Sequence, residues 1–482
     1  MGELDVGGGS VVVATSGAYV KFENSDLTCI VSYSERGTAP SGGMGDICYV
    51  PADPSTPIPA SKPVAISANV EIPKKRRNFW IPRHQMVELL EECCQEQEQH
   101  RVETNDKALG SIQIFRKGFE DIESDENDEL VVKCDDGTTH RGALVVAADG
   151  IDSSVRERLG DEARSGWLQS NSKLFHVRKY RSPATGLRMK SLQFPPGFTL
   201  TNTTGEKIET KSQRMYVFRG VNKGTHDYLS LGFLPVKDPG MIRPGNTNTR
   251  PDHEIWSLTD GPAMKKFFCK NFPRVNWDEI VDESEWDRYA KAKGTTFPFC
   301  QYSPGSAVAS PKKDTGVALV GDACHAFPPD IGQGINAGLQ DVLALDRALC
   351  GQDITTGKPP KTTSDQQPKP KALGDALEAY QRNRGPEHKA LIRIAKCGAP
   401  YQYKQSWTRD RIGRKLWMAN VLLRMVLNKL SFGLIPPAAI SLLQNSDLTY
   451  RQVMRRAALA SRAIKLLVFA AGWLIWKRRV VT

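Results

Sequence analysis

Two stretches of the chain carry residues whose types and spacing suit chemistry. The first runs from Thr315 to Cys350, TGVALVGDACHAFPPDIGQGINAGLQDVLALDRALC. Gly316 to Val320 reads as a buried strand that stops at Gly321-Asp322, and a Pro/Gly loop then leads into an amphipathic helix from about Gly334. The free N–H groups and positive end of such a helix attract a pyrophosphate, and Gly332 and Gly334 let the backbone approach it closely. Asp322, at the carboxyl end of the strand, is placed to accept hydrogen bonds from a cofactor hydroxyl. The second stretch, ALVVAADGIDSSVRERL, is another short apolar run, ending at Asp149-Gly150. Ser154 and Glu157 are read as a capping box for the helix that follows.

No other constellation competes with these two. The 10 cysteines form no C-x-x-C pair and the 8 histidines are scattered, so reduced thiols are expected and neither a metal site nor a catalytic triad is. His325 reads as a loop residue packing near the cofactor rather than as a base.

A chain of 482 residues has room for two or three domains, and the pattern supplies elements to position both stretches. IPRHQMVELLEECCQEQE is a helix with Met86, Val87, Leu89 and Leu90 on its apolar side and Arg83 in its first turn. Residues 130–134 alternate as a strand after an acidic hairpin. Strands are signalled again at 173–179, 189–193, 214–219 and 228–234, punctuated by prolines, and read as an antiparallel sheet inserted between the two stretches. The expected architecture is α/β: a Rossmann-like cofactor unit in two parts (1–165 and 301–350), an antiparallel-sheet substrate domain (166–300), a flexible hydrophilic linker (351–371) and a helical C-terminal region (372–482).

The residues GDACHAFPPDIGQGINAGLQD resemble the GD motif of FAD-dependent aromatic monooxygenases, and ALVVAADGIDSSVRERL is similar to that family's DG motif. GQGINAG, the segments KSLQFPPGF and YLSLGFLPV, and the later order YQY, LIPP, LTYRQVMRR look most like the kynurenine 3-monooxygenase branch. The resemblance implies FAD as cofactor and NADPH or NADH as electron donor. It implies that dioxygen and an aromatic substrate, with L-kynurenine as the candidate, react through a flavin hydroperoxide. By that resemblance Arg83, Asp149, Gly150, Arg156, Gly321, Asp322, Gly332, Gln333, Gly334 and Asn336 are cofactor residues, with Arg156 bracing the DG motif. Asn336 and Tyr403 are candidate substrate contacts. No acid/base pair is expected, because a closed apolar pocket matters more to this chemistry.

The amino-terminal 70 residues do not fit the pattern. A flavoprotein of this class is expected to begin with a strand, G-x-G-x-x-G and a helix. The only candidate, DVGGGSVVV, has Val12 in place of the third glycine. Either the first strand-turn-helix lies outside this chain, the preferred expectation, or that half of the site has been abandoned. The second case leaves a non-catalytic flavoprotein remnant with weak FAD binding as the alternative function.

Charge is uneven. Residues 401–482 hold 15 Lys/Arg against 2 Asp/Glu, while the rest hold 50 against 52. The basic excess alternates with large apolar residues, which fits a membrane surface and not nucleic acid. Residues 466–476 are uncharged for only 11 residues, about 17 Å as a helix at ~1.5 Å per residue, against a hydrocarbon core of ~30 Å. Interfacial embedding or a short anchor is therefore expected over a clean span. The resemblance implies an intracellular place at the mitochondrial outer membrane.

Overall fold

The structure, a computed structural model, describes residues 11–15, 47–58, 81, 83–104, 117–163, 166–169, 171–221, 229–236, 240–357, 372–397, 408–443 and 448–481. The predicted strand before Asp149-Gly150 runs Leu144–Ala148, and the one before Gly321-Asp322 runs Gly316–Leu319. They lie side by side in parallel, Gly316 opposite Leu144 and Leu319 opposite Ala147. Val145, Ala147, Val317, Ala318 and Leu319 are fully buried, as a parallel sheet covered on both faces requires. One face packs on Ile122, Val132, Val155 and Leu159, the other on Ala344, Leu345, Leu377 and Tyr380.

Val11–Thr15 pairs in parallel with Leu144–Ala148 on the other side, and antiparallel Ala307–Ala309 closes the sheet. An amino-terminal strand beside Leu144–Ala148 is therefore present at the β-branched run, although the preferred expectation puts the first strand outside this chain. Gly7 to Gly9 precede it rather than follow it, and the segment after Thr15 lies outside the described residues.

The inserted sheet has six strands, in the order Thr295–Thr296, Arg188–Phe194, Arg243–Thr249, Ser230–Phe233, Met215–Arg219, Ile47–Val50. The expected strands at 189–193, 214–219 and 228–234 are in it. Ile47–Val50, which the sequence reading assigned to the first unit, pairs here in parallel with Met215–Arg219. Helices Gly261–Asn271 and Glu283–Lys291 cover the sheet through Phe268, Trp286 and Tyr289, which meet Phe194, Phe233 and Trp277 in one aromatic core.

Two local expectations change. The strand expected over 173–179 is instead the short helix Ser172–Phe175 followed by the strand Arg178–Tyr180. The cap of helix Ser154–Gly160 is Ser153, whose Oγ accepts from the Arg156 N–H at 3.0 Å, so the capping residue lies one position before the predicted Ser154.

Helix Arg83–Thr104 buries Met86, Leu89 and Cys94, at i, i+3 and i+8, while Val87 falls off that stripe and is exposed. The C-terminal region forms helices Leu373–Cys397, Thr408–Leu430 and Tyr450–Val481. The first and last of these share a cluster with Ile331 and Ala337, which seats them against the loop and helix of the GD stretch. Among the described residues no helix is long and apolar enough to cross a membrane.

Candidate functional site

Asp149 and Asp322 each follow the carboxyl end of one of two adjacent parallel strands, the edge at which open α/β sheets bind their ligands. The two loops are fastened together. Arg156, 5% exposed, donates from Nη1 to the Ala323 carbonyl at 2.7 Å and from Nη2 to the Ile151 carbonyl at 2.8 Å. It links the residue after Asp322 to the turn after Asp149. Burial pushes its guanidinium down from its ordinary value, with Asp149 and Glu157 acting the other way. Its side chain is thus spent on backbone carbonyls, and it positions the loops.

The turn under the helix is open. Gly332 has φ +60° and Gly150 φ +84°, and among the described residues no heavy atom beyond the adjoining chain lies within 4 Å of a Cβ built on either, or on Gly334. Helix Gly334–Leu349 begins after Gln333, whose side chain makes no capping hydrogen bond. Gly334, Ile335 and Asn336 are exposed there. Asp149 Oδ2 accepts from the Val155 N–H at 3.2 Å, whereas its buried Oδ1 has no partner.

Asp322 stands exposed at the rim, yet surrounding protein desolvates its carboxyl and raises it from its ordinary range, with His325 and Arg83 opposing. Arg83, exposed at the start of its helix, therefore lies within electrostatic reach of the GD turn. Uncapped N–H groups, glycines with space before them and an orphaned carboxylate oxygen fit a group with phosphates and hydroxyls, as FAD has. Tyr403 lies outside the described residues.

Behind the turn lies a network that the sequence reading missed. Asp341, fully buried on helix Gly334–Leu349, accepts four bonds. Oδ2 receives the Gly321 N–H at 3.0 Å and His325 Nε2 at 2.7 Å; Oδ1 receives Arg384 Nε at 2.7 Å and His388 Nε2 at 2.8 Å. His388 Nδ1 faces the Cys324 thiol at 3.2 Å, with the thiol as donor to a neutral imidazole. Burial drives His388 down to about 4 even with Asp341 beside it, and lifts the Cys324 thiol well above its ordinary value. Asp341 is held well below the carboxylate range: burial opposes ionisation, and His388 and His325 outweigh it.

The ligating atoms of His325, Asp341 and His388 lie within 4.8 Å of one another, a spacing a metal ion would accept. Arg384 already occupies Asp341 Oδ1, so a cation there would have to displace a guanidinium. The cluster's evident work is to hold Gly321 in place. A signal existed for Asp341: Ala337, Asp341, Ala344, Leu345 and Ala348 share the buried face, so helical period alone puts a carboxylate in the core.

Gln333 is engaged from the far end of the chain, where Tyr450 Oη donates to its Oε1 at 3.3 Å.

The fold and this cradle define a flavin-nucleotide protein, and the chain belongs to the FAD binding domain family, whose pattern matches residues 37–353. Among curated proteins it is similar to the FAD-dependent monooxygenase ausM of Penicillium brasilianum, 26% identical over 289 residues, which is 59% of this chain and 53% of that protein. It is also similar to the kynurenine 3-monooxygenase of Flavobacterium johnsoniae, 36% identical over 206 residues, 43% of this chain and 39% of that one. The chain thus spans about half the length, or less, of these relatives. Among solved structures, pqsL, a probable FAD-dependent monooxygenase from Pseudomonas aeruginosa, aligns at 18% identity and a TM-score of 0.43, over 81% of this chain and 88% of that one.

Proposed function

We propose that this protein is an FAD-dependent monooxygenase that takes electrons from NADPH or NADH and hydroxylates an aromatic substrate, with L-kynurenine the first to test. One observation carries the reading: the loops bearing Asp149 and Asp322 leave neighbouring parallel strands and are locked by Arg156 around an open, uncapped helix start. When bound, FAD supplies the redox chemistry, accepting a hydride and activating dioxygen toward the ring. The chain's part is placement. The N–H groups at 334–336 would hold the pyrophosphate, Asp322 and Asp149 would accept from hydroxyl or N–H groups, and Arg83 would offset negative charge at the rim. Walls that exclude water around the reacting ring would do the rest.

The C-terminal helices support a further part of the proposal, contact with a membrane surface. Leu416, Leu422, Val426, Leu430, Trp473 and Trp476 are exposed in a region whose Lys/Arg outnumber Asp/Glu 15 to 2. Co-sedimentation with vesicles containing phosphatidylserine, weakened by salt, is the expected result. Equal recovery with and without vesicles would refute it.

A second reading, a flavoprotein remnant, draws on the glycines that precede Val11–Thr15 instead of following it. Absorbance after incubation with FAD separates the two readings. A yellow protein whose NADPH oxidation rises on adding L-kynurenine supports the enzyme and its substrate. A yellow protein without that stimulation keeps the class and loses the substrate, and a colourless one supports the remnant.

A further inference from the structure

Tyr450 opens the helix Tyr450–Val481 and is 4% exposed. Three sets of contacts fix where its ring stands. Thr449 and Gln452 bond reciprocally across the first turn, the Thr449 N–H to Gln452 Oε1 at 3.0 Å and the Gln452 N–H to Thr449 Oγ1 at 3.3 Å, which closes a capping box. The buried carboxylate of Glu387, on helix Leu373–Cys397, accepts the next N–H, that of Arg451, at 3.1 Å. The ring itself packs in the cluster of Ile331, Ala337, Leu391 and Val453. Burial pushes the phenol up from its ordinary value, so it stays protonated and remains a donor. What this seat delivers is one hydroxyl, 3.3 Å from Gln333 Oε1.

Gln333 is half-buried between Gly332 and Gly334, which are both exposed. A carboxamide has an acceptor end and a donor end. Here the oxygen is turned to Tyr450, while the amino end of the same planar group has no partner among the described residues and is not sealed from solvent. Fixing one end of the amide fixes what the other end offers. We propose that Tyr450 is a positioning residue for the cofactor, its hydroxyl orienting the Gln333 carboxamide so that Nε2 donates to an acceptor oxygen of the flavin nucleotide on the glycine turn. This inference rests on the flavin reading above and adds to it a residue beyond the matched segment 37–353. Without the hydroxyl the amide turns freely, and the cofactor loses a donor that was held in place before it arrived.

Fluorescence titration of the full chain with FAD, beside thermal melts of the FAD-free protein, tests this. Tyr450→Phe keeps the ring in its cluster and removes only the hydroxyl. Its FAD affinity should fall about three- to tenfold, the range of one hydrogen bond, while its melting temperature stays within about 2 °C, since the Gln333 oxygen returns to water. Gln333→Glu keeps an acceptor for Tyr450 and loses the amino group, so its affinity should fall at least as far. Gln333→Ala should also fall, and Tyr450→Phe combined with Gln333→Ala should lose no more than Gln333→Ala alone, because the tyrosine acts through the amide. A tyrosine that served the fold alone would lower the melting temperature and leave no such coupling. The proposal is overturned if Tyr450→Phe or Gln333→Glu binds FAD within about twofold of the native chain, or if the two losses add in the double variant. It also falls if FAD-free Tyr450→Phe melts several degrees lower. A native chain that takes up no FAD overturns the flavin reading and this inference with it, whereas a native chain that binds FAD no better than Tyr450→Phe sinks this inference alone.

Discussion

Arg156 reaches across from the helix after one motif to the main chain of the other, its Nη1 2.7 Å from the carbonyl oxygen of Ala323. The two halves of the cradle are therefore a single mechanical unit, although 167 residues separate donor from acceptor.

Arg156→Ala should cost about 3 kcal/mol of stability, since charged hydrogen bonds contribute ~1.5–3 kcal/mol each and two buried carbonyls lose their donor. Arg156→Lys should recover part of that. Urea unfolding gives the stability, and flavin fluorescence titration should show weaker FAD binding in the same order, alanine below lysine.

Gly332→Ala separates binding from folding. The space in front of Gly332 is empty, so the folded state bears only the strain of φ +60°, ~1–2 kcal/mol for a residue with a Cβ. The new methyl would stand in the cradle and lower FAD affinity about tenfold or more. Gly316→Ala is the contrasting case: its Cβ meets Leu377 and comes 2.7 Å from the Val308 carbonyl inside the core. The fall there should appear in melting temperature first.

The Asp341 cluster predicts acid sensitivity. His388 titrates near 4 in the fold against an ordinary 6.5, so the unfolded chain binds the proton first as pH drops. The stability this group contributes is whole above about pH 6.5 and is lost as pH falls through 6.5 toward 4, with a slope of at most ~1.4 kcal/mol per pH unit. Asp341, depressed in the fold, adds a further loss below the ordinary carboxylate range. Denaturation curves between pH 4 and 7 should show the slope, and His388→Gln should flatten it.

Asp341→Asn leaves the buried Arg384 guanidinium short of its counter-charge and should destabilise by ~3–5 kcal/mol. Asp341→Asn together with Arg384→Met should be milder than the single change, a sign that the unpaired charge and not the lost volume is responsible. Thermal melts of the three proteins check this.

Much of this was legible because local chemistry controls it. An apolar run ending in Asp-Gly or Gly-Asp, followed by a helix start, announces a strand, a turn and a cradle, and both runs fold that way. Less legible was anything decided at long range. His388 and Arg384 look like polar positions on a long helix until Asp341, 47 and 43 residues earlier, is brought to them. Ile47–Val50 finds its partner strand 168 residues later. The cap slipped by one residue because both Ser153 and Ser154 suit an N-terminus, and the main chain chose the one whose hydroxyl reaches Arg156 N.

Tyr450 is the first residue of a 32-residue helix and touches Gln333 through its hydroxyl. Val453, three residues further on, is buried in the same cluster as Ile331 and Ala337, so the opening turn of that helix forms part of the wall behind the glycine turn. A change at Tyr450 is therefore a change at the cradle, because the hydroxyl that meets Gln333 Oε1 comes from a segment more than a hundred residues further along the chain.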